Sequence, residues 1–242
     1  MLAVLSVEIR KLNRSLAALL AVAAPSLIAI FTFFNLLRGK APMPWEMWMV
    51  SGIGIWSYFM LPMSVTALTA LVAHMEHGPK SWDHLRSLPL PRWRLYAAKA
   101  VMVLAVVAFM SAATLIMTWG AVMLATAIKP NLTPSGTLDI ALYASTMGKV
   151  FLAAILMVAI QLWIALRFSS FVPALVVGIG GTFFSVVATS AKAGVFFPWQ
   201  MPVNMLVSTQ AWRVNTALGL GCGLGLIVLA LAVAHLARRE VL

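Results

Sequence analysis

The chain has 242 residues, of which 62% are hydrophobic and only 10% are charged, and its net charge is +11 at pH 7. Soluble globular domains are about 45–50% apolar and about 25% charged, so this composition excludes a water-soluble globule and a disordered chain. The single cysteine, Cys222, excludes a disulfide framework. The basic residues lie in the gaps between long apolar runs, which disfavours a nucleic-acid-binding protein and indicates a polytopic membrane protein.

Residues 1–15 predict a helix that lies in the membrane interface. An apolar stripe at spacings of three and four is formed by Leu2, Leu5, Ile9, Leu12 and Leu16. Arg10, Lys11 and Arg14 lie mostly away from this stripe, where they would meet lipid headgroups. The alternative is a cytoplasmic extension of the first membrane span.

Six apolar runs follow, each long enough to cross the hydrocarbon core, which takes about 20 residues of helix. They comprise residues 16–37, 50–73, 100–128, 143–166, 171–190 and 216–236. The first run has 22 residues, which is too long for the apolar part of a cleavable signal peptide, about 7–15 residues. We therefore predict an all-α integral membrane protein in which residues 1–242 form a single transmembrane domain.

The distribution of lysine and arginine predicts the orientation. If the N-terminus is cytoplasmic, eleven of these residues fall on the cytoplasmic side and six on the outer side. Because Lys and Arg near span ends favour the cytoplasmic side, we expect both termini to be cytoplasmic.

The most informative segment lies between the second and third spans, where residues 75–95 form the longest cytoplasmic loop. Gly78 and Pro79 interrupt the incoming helix, and Pro89 and Pro91 end a short helix that Ser81 can cap. Trp82, Leu85 and Leu88 share one face of this short helix, next to Asp83 and Arg86. Such an apolar ridge flanked by charges is typical of a docking surface, and equally of a loop that dips into lipid.

The last outer segment, between the fifth and sixth spans, is rich in aromatic residues and proline. Phe197, Pro198, Trp199 and Pro202 predict two short helical pieces with a break between them. An interfacial aromatic belt and an outer gate for a transported molecule are both compatible with this composition.

Several kinds of chemistry lack the residues that they need. The sequence contains no G-x-x-x-x-G-K-[ST], so any ATP would be bound by another chain. No Asp or Glu lies in the interior of a predicted span, which disfavours a proton-coupled pump. His74, Glu76, His77 and His84 match no zinc motif, and we predict no metal site.

Glu76, Gly78, the segment Ser87-Leu88-Pro89 and Lys99 resemble the loop between the second and third spans of ABC-2-type permeases. Glu8-Ile9-Arg10-Lys11-Leu12 is similar to the E-x-x-K-L with which that family begins, and the number of spans also matches. Within the family, the chain resembles most the permeases of lantibiotic-immunity and bacitracin-type antibiotic-peptide exporters.

The resemblance implies roles for particular residues. The elbow helix on the membrane surface would contain Leu5, Glu8, Ile9, Lys11 and Leu12. The helix that couples the permease to the ATPase would involve Glu76, Gly78, Trp82, Asp83, Leu85, Arg86, Leu88 and Pro89. The turn at Arg167 and Ser169 would be a lesser ATPase contact, and the outer gate would contain Phe197, Pro198, Trp199 and Pro202.

The expected function is therefore that of a permease subunit in an ATP-driven exporter of a bacterial cytoplasmic membrane. Two ATPase subunits would bind ATP and Mg²⁺, this chain would hold no cofactor, and a second permease copy or a homologous permease would complete the transporter. The expected cargo is an amphipathic peptide or hydrophobic compound. The alternatives are a membrane assembly or anchoring subunit without transport, and a permease of the same family for a lipid, haem or drug.

Overall fold

Residues 2–13, 15–77, 91–189 and 191–238 are described by a computed structural model, and these ranges are almost entirely helical and contain no β-strand. The α-helices are α1 (Leu2–Leu12), α2 (Leu16–Arg38), α3 (Trp45–Ile55), α4 (Leu61–His77), α5 (Arg92–Ile128), α6 (Ile140–Arg167), α7 (Val172–Ala188), α8 (Met201–Val207), α9 (Ala211–Leu218) and α10 (Gly225–Arg238). Two π-helical segments, Trp56–Met60 and Gly219–Leu224, join α3 to α4 and α9 to α10. The prediction of an all-helical protein is confirmed.

The local sequence explains where several helices begin. The Ser15 hydroxyl accepts a hydrogen bond from the Ala18 N–H at 3.3 Å and so caps α2 after α1 has ended. The Asp139 carboxylate caps α6 in the same way. Proline stands in the first turn of α7 and of α8, where its missing N–H costs no hydrogen bond.

Five continuous helical stretches are long and apolar enough to cross a membrane. They are Leu16–Arg38, Trp45–Glu76, Arg92–Ile128, Ile140–Arg167 and Ala211–Arg238. The remaining predicted span corresponds to α7, an apolar helix of 17 residues, which measures roughly 25 Å at 1.5 Å per residue.

Three of the predicted spans are at least seven residues shorter than the helical stretches that contain them, and one of these is 216–236, within Ala211–Arg238. The helix predicted to begin at residue 100 begins at Arg92, and the one predicted over 50–73 extends from Trp45 through α4 to His77. Residues 75–77 and 92–95 are thus helical, and the prediction that the whole of 75–95 is a loop was wrong. Counting apolar residues missed these turns because they contain charged side chains: Arg92 is exposed, and the buried Glu76 is paired with Lys11 and Lys99.

Helix α6 forms the centre of the bundle, with most of its residues buried against several other helices. Small residues allow close approach: a Cβ on Gly225 would lie 2.6 Å from the Leu156 backbone nitrogen of α6, and one on Gly221 would collide with the Ala153 backbone. Gln161 of α6 donates a hydrogen bond to the Ala174 carbonyl oxygen of α7. These contacts hold α7 and α10 on either side of α6.

Consecutive long helices run in opposite directions, so the bundle has two ends. The loop end is the one where α4 ends at His77 and α5 begins at Arg92; α6 also ends there, because Ala165 and His74 line a common crevice. At the opposite end, the Lys129 Nζ donates to the Leu37 carbonyl oxygen at 2.9 Å.

Candidate functional site

Four charged side chains from three helices meet at the loop end. Lys99 Nζ lies 2.7 Å from Glu8 Oε2 and 2.8 Å from Glu76 Oε1. Lys11 Nζ donates to the same Glu76 oxygen at 2.8 Å and lies 3.3 Å from Glu8 Oε1. We call Glu8, Lys11, Glu76 and Lys99 the charge cluster. It is electrically neutral and ties α1 to the end of α4 and the beginning of α5.

The cluster is buried except at Lys11. Glu8, Glu76 and Lys99 are 2%, 1% and 1% exposed, whereas the Lys11 side chain is 33% exposed. Moving one such ion out of water costs several kcal/mol, and the cost is offset only if each charge meets an opposite charge in good hydrogen-bonding geometry. Here every buried charge has two oppositely charged partners, so the cluster holds together only as a complete set.

Lys11 belongs to α1, which is not one of the span-length helices. Partial burial would lower its pKa, but the hydrogen bond to Glu76 and the charges of Glu8 and Glu76 outweigh this effect and raise the pKa above the usual 10.5. Lys11 is therefore charged at any physiological pH.

Helix α1 packs differently from the predicted apolar stripe. Leu5 and Leu12 pack on the core, and Glu8 lies between them on the same face, whereas Ile9 is 55% exposed. Lys11 was predicted to lie among headgroups, away from the core, and this was wrong, because it reaches inward to the two glutamates. The face of α1 that meets the bundle is therefore half apolar and half charged.

The charge cluster lies directly at the base of the predicted coupling segment. Glu76 is the penultimate residue of α4, and Lys99 is in the third turn of α5. Glu76 pairs with Lys99 of α5 and with Lys11 of α1. The remaining predicted coupling residues lie outside the described part of the chain; they are Gly78, Trp82, Asp83, Leu85, Arg86, Leu88 and Pro89.

The second predicted ATPase contact lies at the same end of the bundle. Arg167 ends α6, with its guanidinium carbon 5.4 Å from the centre of the Phe168 ring, and Ser169 is exposed in the turn that follows. Ser169 and Phe168 line a shallow crevice together with His74 of α4. Ser169 therefore lies next to the last turns of α4, the helix that carries Glu76.

The predicted gate residues lie at the opposite end. Phe197 and Trp199 stack with their ring centres 5.5 Å apart, and Phe197 also meets Phe184 of α7 edge to face. Trp199 packs so closely on Gly181 that a Cβ there would lie 2.6 Å from the indole ring. Pro202 is buried in the first turn of α8. Phe197 and Trp199 thus pack the segment that follows α7 back onto α7.

A polar cavity of about 170 Å³ lies beside these aromatic residues, and the sequence did not predict it. It is lined by Thr189, Gln200, Asn204, Val207, Ser208, Thr209, Gln210 and Arg213. Gln200 and Asn204 are buried, and the Arg213 Nε is buried with no hydrogen-bond partner. In the sequence analysis, Arg213 was only one of the six basic residues placed on the outer side. The polar run from Ser208 to Gln210 is the sequence feature that could have indicated the cavity.

Across the described ranges, no group of three or more His, Cys, Asp and Glu side chains is placed to hold a metal ion. His74 is exposed and lies outside the charge cluster, and His84 is not among the described residues. The two glutamates of the cluster are each neutralised by lysines, which leaves their oxygens engaged in ion pairs.

Comparison with known proteins gives one match. The family model described as ABC-2 family transporter protein matches residues 4–186, a range that includes all four residues of the charge cluster. No curated protein and no solved structure matches.

Proposed function

The chain belongs to the ABC-2 family of transporter proteins, and from this premise we propose that it is the membrane-spanning permease subunit of an ATP-driven exporter. Membership of the family is the observation that carries the proposal, since proteins of this family are membrane components of ABC transporters. Such a component works with an ABC ATPase, and we propose that two ATPase subunits supply the bound ATP and Mg²⁺.

In the proposed working complex, the chain crosses a bacterial cytoplasmic membrane six times and keeps both termini in the cytoplasm. The sixth span is α7, which can cross at its length of 17 residues where the bilayer thins slightly around it. The excess of basic residues at the loop end supports this orientation. A second copy or a homologous permease completes the pathway.

We propose that the loop end receives the motion of the ATPase. Trp82, Leu85 and Leu88 form the docking ridge, and Arg167 and Ser169 add a smaller contact. The charge cluster supports this role, because Glu76 and Lys99 flank the docking segment and are held to α1 by Glu8 and Lys11. Movement of the loop would thus be transmitted to α1, α4 and α5 together.

The proposed cargo is an amphipathic peptide or hydrophobic compound, as in antibiotic or lantibiotic export and immunity. The buried Ser111 and Thr114 of α5 donate their hydroxyls to the Val107 and Met110 carbonyl oxygens of the same helix, and no carboxylate lies in the interior of the described spans. A path with so few charges suits a molecule that is largely apolar better than an ion or a sugar.

Two alternatives remain open. One is a membrane assembly or anchoring subunit with no transport of its own, and the other is a permease of the same family for a lipid, haem or drug. The first predicts that the ATPase activity of the partner is unchanged by the chain.

The test is affinity purification of the chain from its own host in mild detergent, followed by identification of co-purifying proteins and an ATPase assay. We expect to recover an ABC ATPase whose activity is stimulated by the chain. Trp82→Ala and Leu85→Asp should abolish recovery or stimulation, while Trp119→Ala, at an exposed tryptophan of α5, should leave both unchanged. Recovery of the intact chain without any ATPase would refute the proposal.

A further inference from the structure

The polar cavity at the end opposite the charge cluster has features of a binding site that the transport proposal does not use. Its volume of about 170 Å³ leaves room for a phosphate group. Gln200 and Asn204 supply polar side chains that are 1% and 3% exposed, so the inner part of the cavity is lined by side chains that packing holds in place.

Arg213 provides the charge. Its Nε is buried without a hydrogen-bond partner, and its Nη2 makes one long bond, 3.4 Å, to the Ala191 carbonyl oxygen. A buried guanidinium donor without a partner is costly, and an anionic oxygen is the partner that its fork geometry fits best.

None of the described Asp and Glu side chains forms an ion pair with Arg213. The sequence has no Asp or Glu from residue 140 to residue 239, and Arg213 takes part in none of the ion pairs found in the described ranges. Lys192 follows Ala191, which Arg213 contacts, and brings a second positive charge to the same region. The local field therefore favours an anion.

The rim of the cavity is apolar on one side. Val207 lines the cavity and is 51% exposed, and Trp212, next to Arg213, is 49% exposed. A molecule with its anionic group in the cavity could lay an acyl chain along these side chains. Free inorganic phosphate would use the polar groups but not this rim.

We propose that this cavity binds a phosphate group, with Arg213 as its principal ligand and the amide and hydroxyl side chains of Gln200, Asn204 and Ser208 as further hydrogen-bonding groups. The phosphate is that of a phospholipid headgroup or of a free phosphate compound. The site is independent of the ATPase partner, so it can be tested on the purified chain whether or not the transport proposal holds.

The experiment uses the purified full chain in neutral detergent and counts bound lipid by native mass spectrometry. Equimolar short-chain phosphatidylglycerol and phosphatidylcholine are offered together, with and without inorganic phosphate as a competitor. We expect one phosphatidylglycerol to bind preferentially. Arg213→Gln should weaken this binding roughly tenfold or more, because a charge-assisted hydrogen bond is lost.

Arg38→Gln is the matched control, since Arg38 is an exposed arginine at the same end of the bundle, and it should leave the preference unchanged. Thermal unfolding of Arg213→Gln, compared with that of the unaltered chain, shows whether the variant is folded.

Competition by inorganic phosphate would identify a site that accepts a free phosphate, and its absence would identify a site for a lipid headgroup. Failure of both phosphatidylglycerol and phosphate to bind, or equal binding by a folded Arg213→Gln variant, would overturn the proposal.

Discussion

Replacing Lys99 by methionine would test the charge cluster most directly. Methionine has a similar length but no charge, so Glu8 and Glu76 would remain buried and, among the described residues, would keep Lys11 as their positive partner. At distances of 2.7 and 2.8 Å, each attraction of Lys99 to a glutamate amounts to about 6 kcal/mol at an effective dielectric constant of 20. Most of this only offsets the desolvation of the three buried ions.

The net loss is therefore smaller than the sum of the two attractions. Removing one partner from a buried ion pair typically costs about 3–5 kcal/mol, because the other charge is left without compensation. For a chain of this size, each kcal/mol lowers the melting temperature by roughly 2–4 °C. We expect Lys99→Met to lower the melting temperature by something on the order of 10 °C.

The assay is thermal unfolding in detergent or nanodiscs, followed by the fluorescence of the nine tryptophans. Lys149→Met is the control, since Lys149 is an exposed lysine in the long helix α6 and should shift the melting temperature by about 1 °C or less. The double variant Glu8→Gln, Lys99→Met keeps the Glu76–Lys11 pair neutral and should lose less stability than the two single changes added together. If Lys99→Met melted within 2 °C of the unaltered chain, the reasoning on the buried cluster would be wrong.

Three further predictions concern other contacts. Gly225→Ala should destabilise the fold by about 1–3 kcal/mol in thermal unfolding, because the new Cβ collides with the backbone of α6, whereas Gly223→Ala, which has open space, should be neutral. Ser111→Ala removes the acceptor of the buried Trp56 Nε1 at 3.1 Å and should cost about 1 kcal/mol and shift the tryptophan emission. Since the folded-state pKa of Lys11 is raised, its stabilising contribution is fully present below the usual value of 10.5 and is lost as the pH rises through the raised value. The difference in melting temperature between Lys11→Met and the unaltered chain should therefore stay constant from pH 7 to 9 and shrink only above pH 10.5. A difference that stayed constant up to about pH 12 would contradict this prediction.

The sequence predicts best those elements whose limits are set by local chemistry. The first span was placed at 16–37 and the helix is Leu16–Arg38, because its apolar run is uninterrupted and Ser15 caps its first turn. The third span was placed eight residues too late, at residue 100 in place of Arg92. A lysine such as Lys99 normally marks the edge of a span, because burying its ammonium group costs desolvation free energy. Here the ion pairs with two glutamates offset that cost.

The charge cluster could be predicted only in part for the same reason. Glu8 lies three residues after Leu5 and four before Leu12, so a charge on the apolar side of α1 was a readable signal of a buried ion pair. Its partners come from positions 76 and 99, and no local periodicity connects them with position 8. The polar cavity was missed because Gln200, Asn204 and Arg213 come together only through the packing of α8 and α9.

The π-helical segment Trp56–Met60 explains how one helix can face the core along its whole length. The apolar side chains along it that are no more than 3% exposed are Met49, Ile53, Trp56, Leu61, Val65, Leu68 and Val72, and every step between them is three or four residues except the step of five from Trp56 to Leu61. In an uninterrupted α-helix a step of five would turn the second half of this face away from the core. The wider i→i+5 turn absorbs one extra residue and restores the alignment. The segment therefore behaves as a one-residue insertion that the helix has accommodated. If one residue between Trp56 and Leu61 were deleted, an uninterrupted α-helix would place the same apolar side chains before and after the segment on its core-facing side.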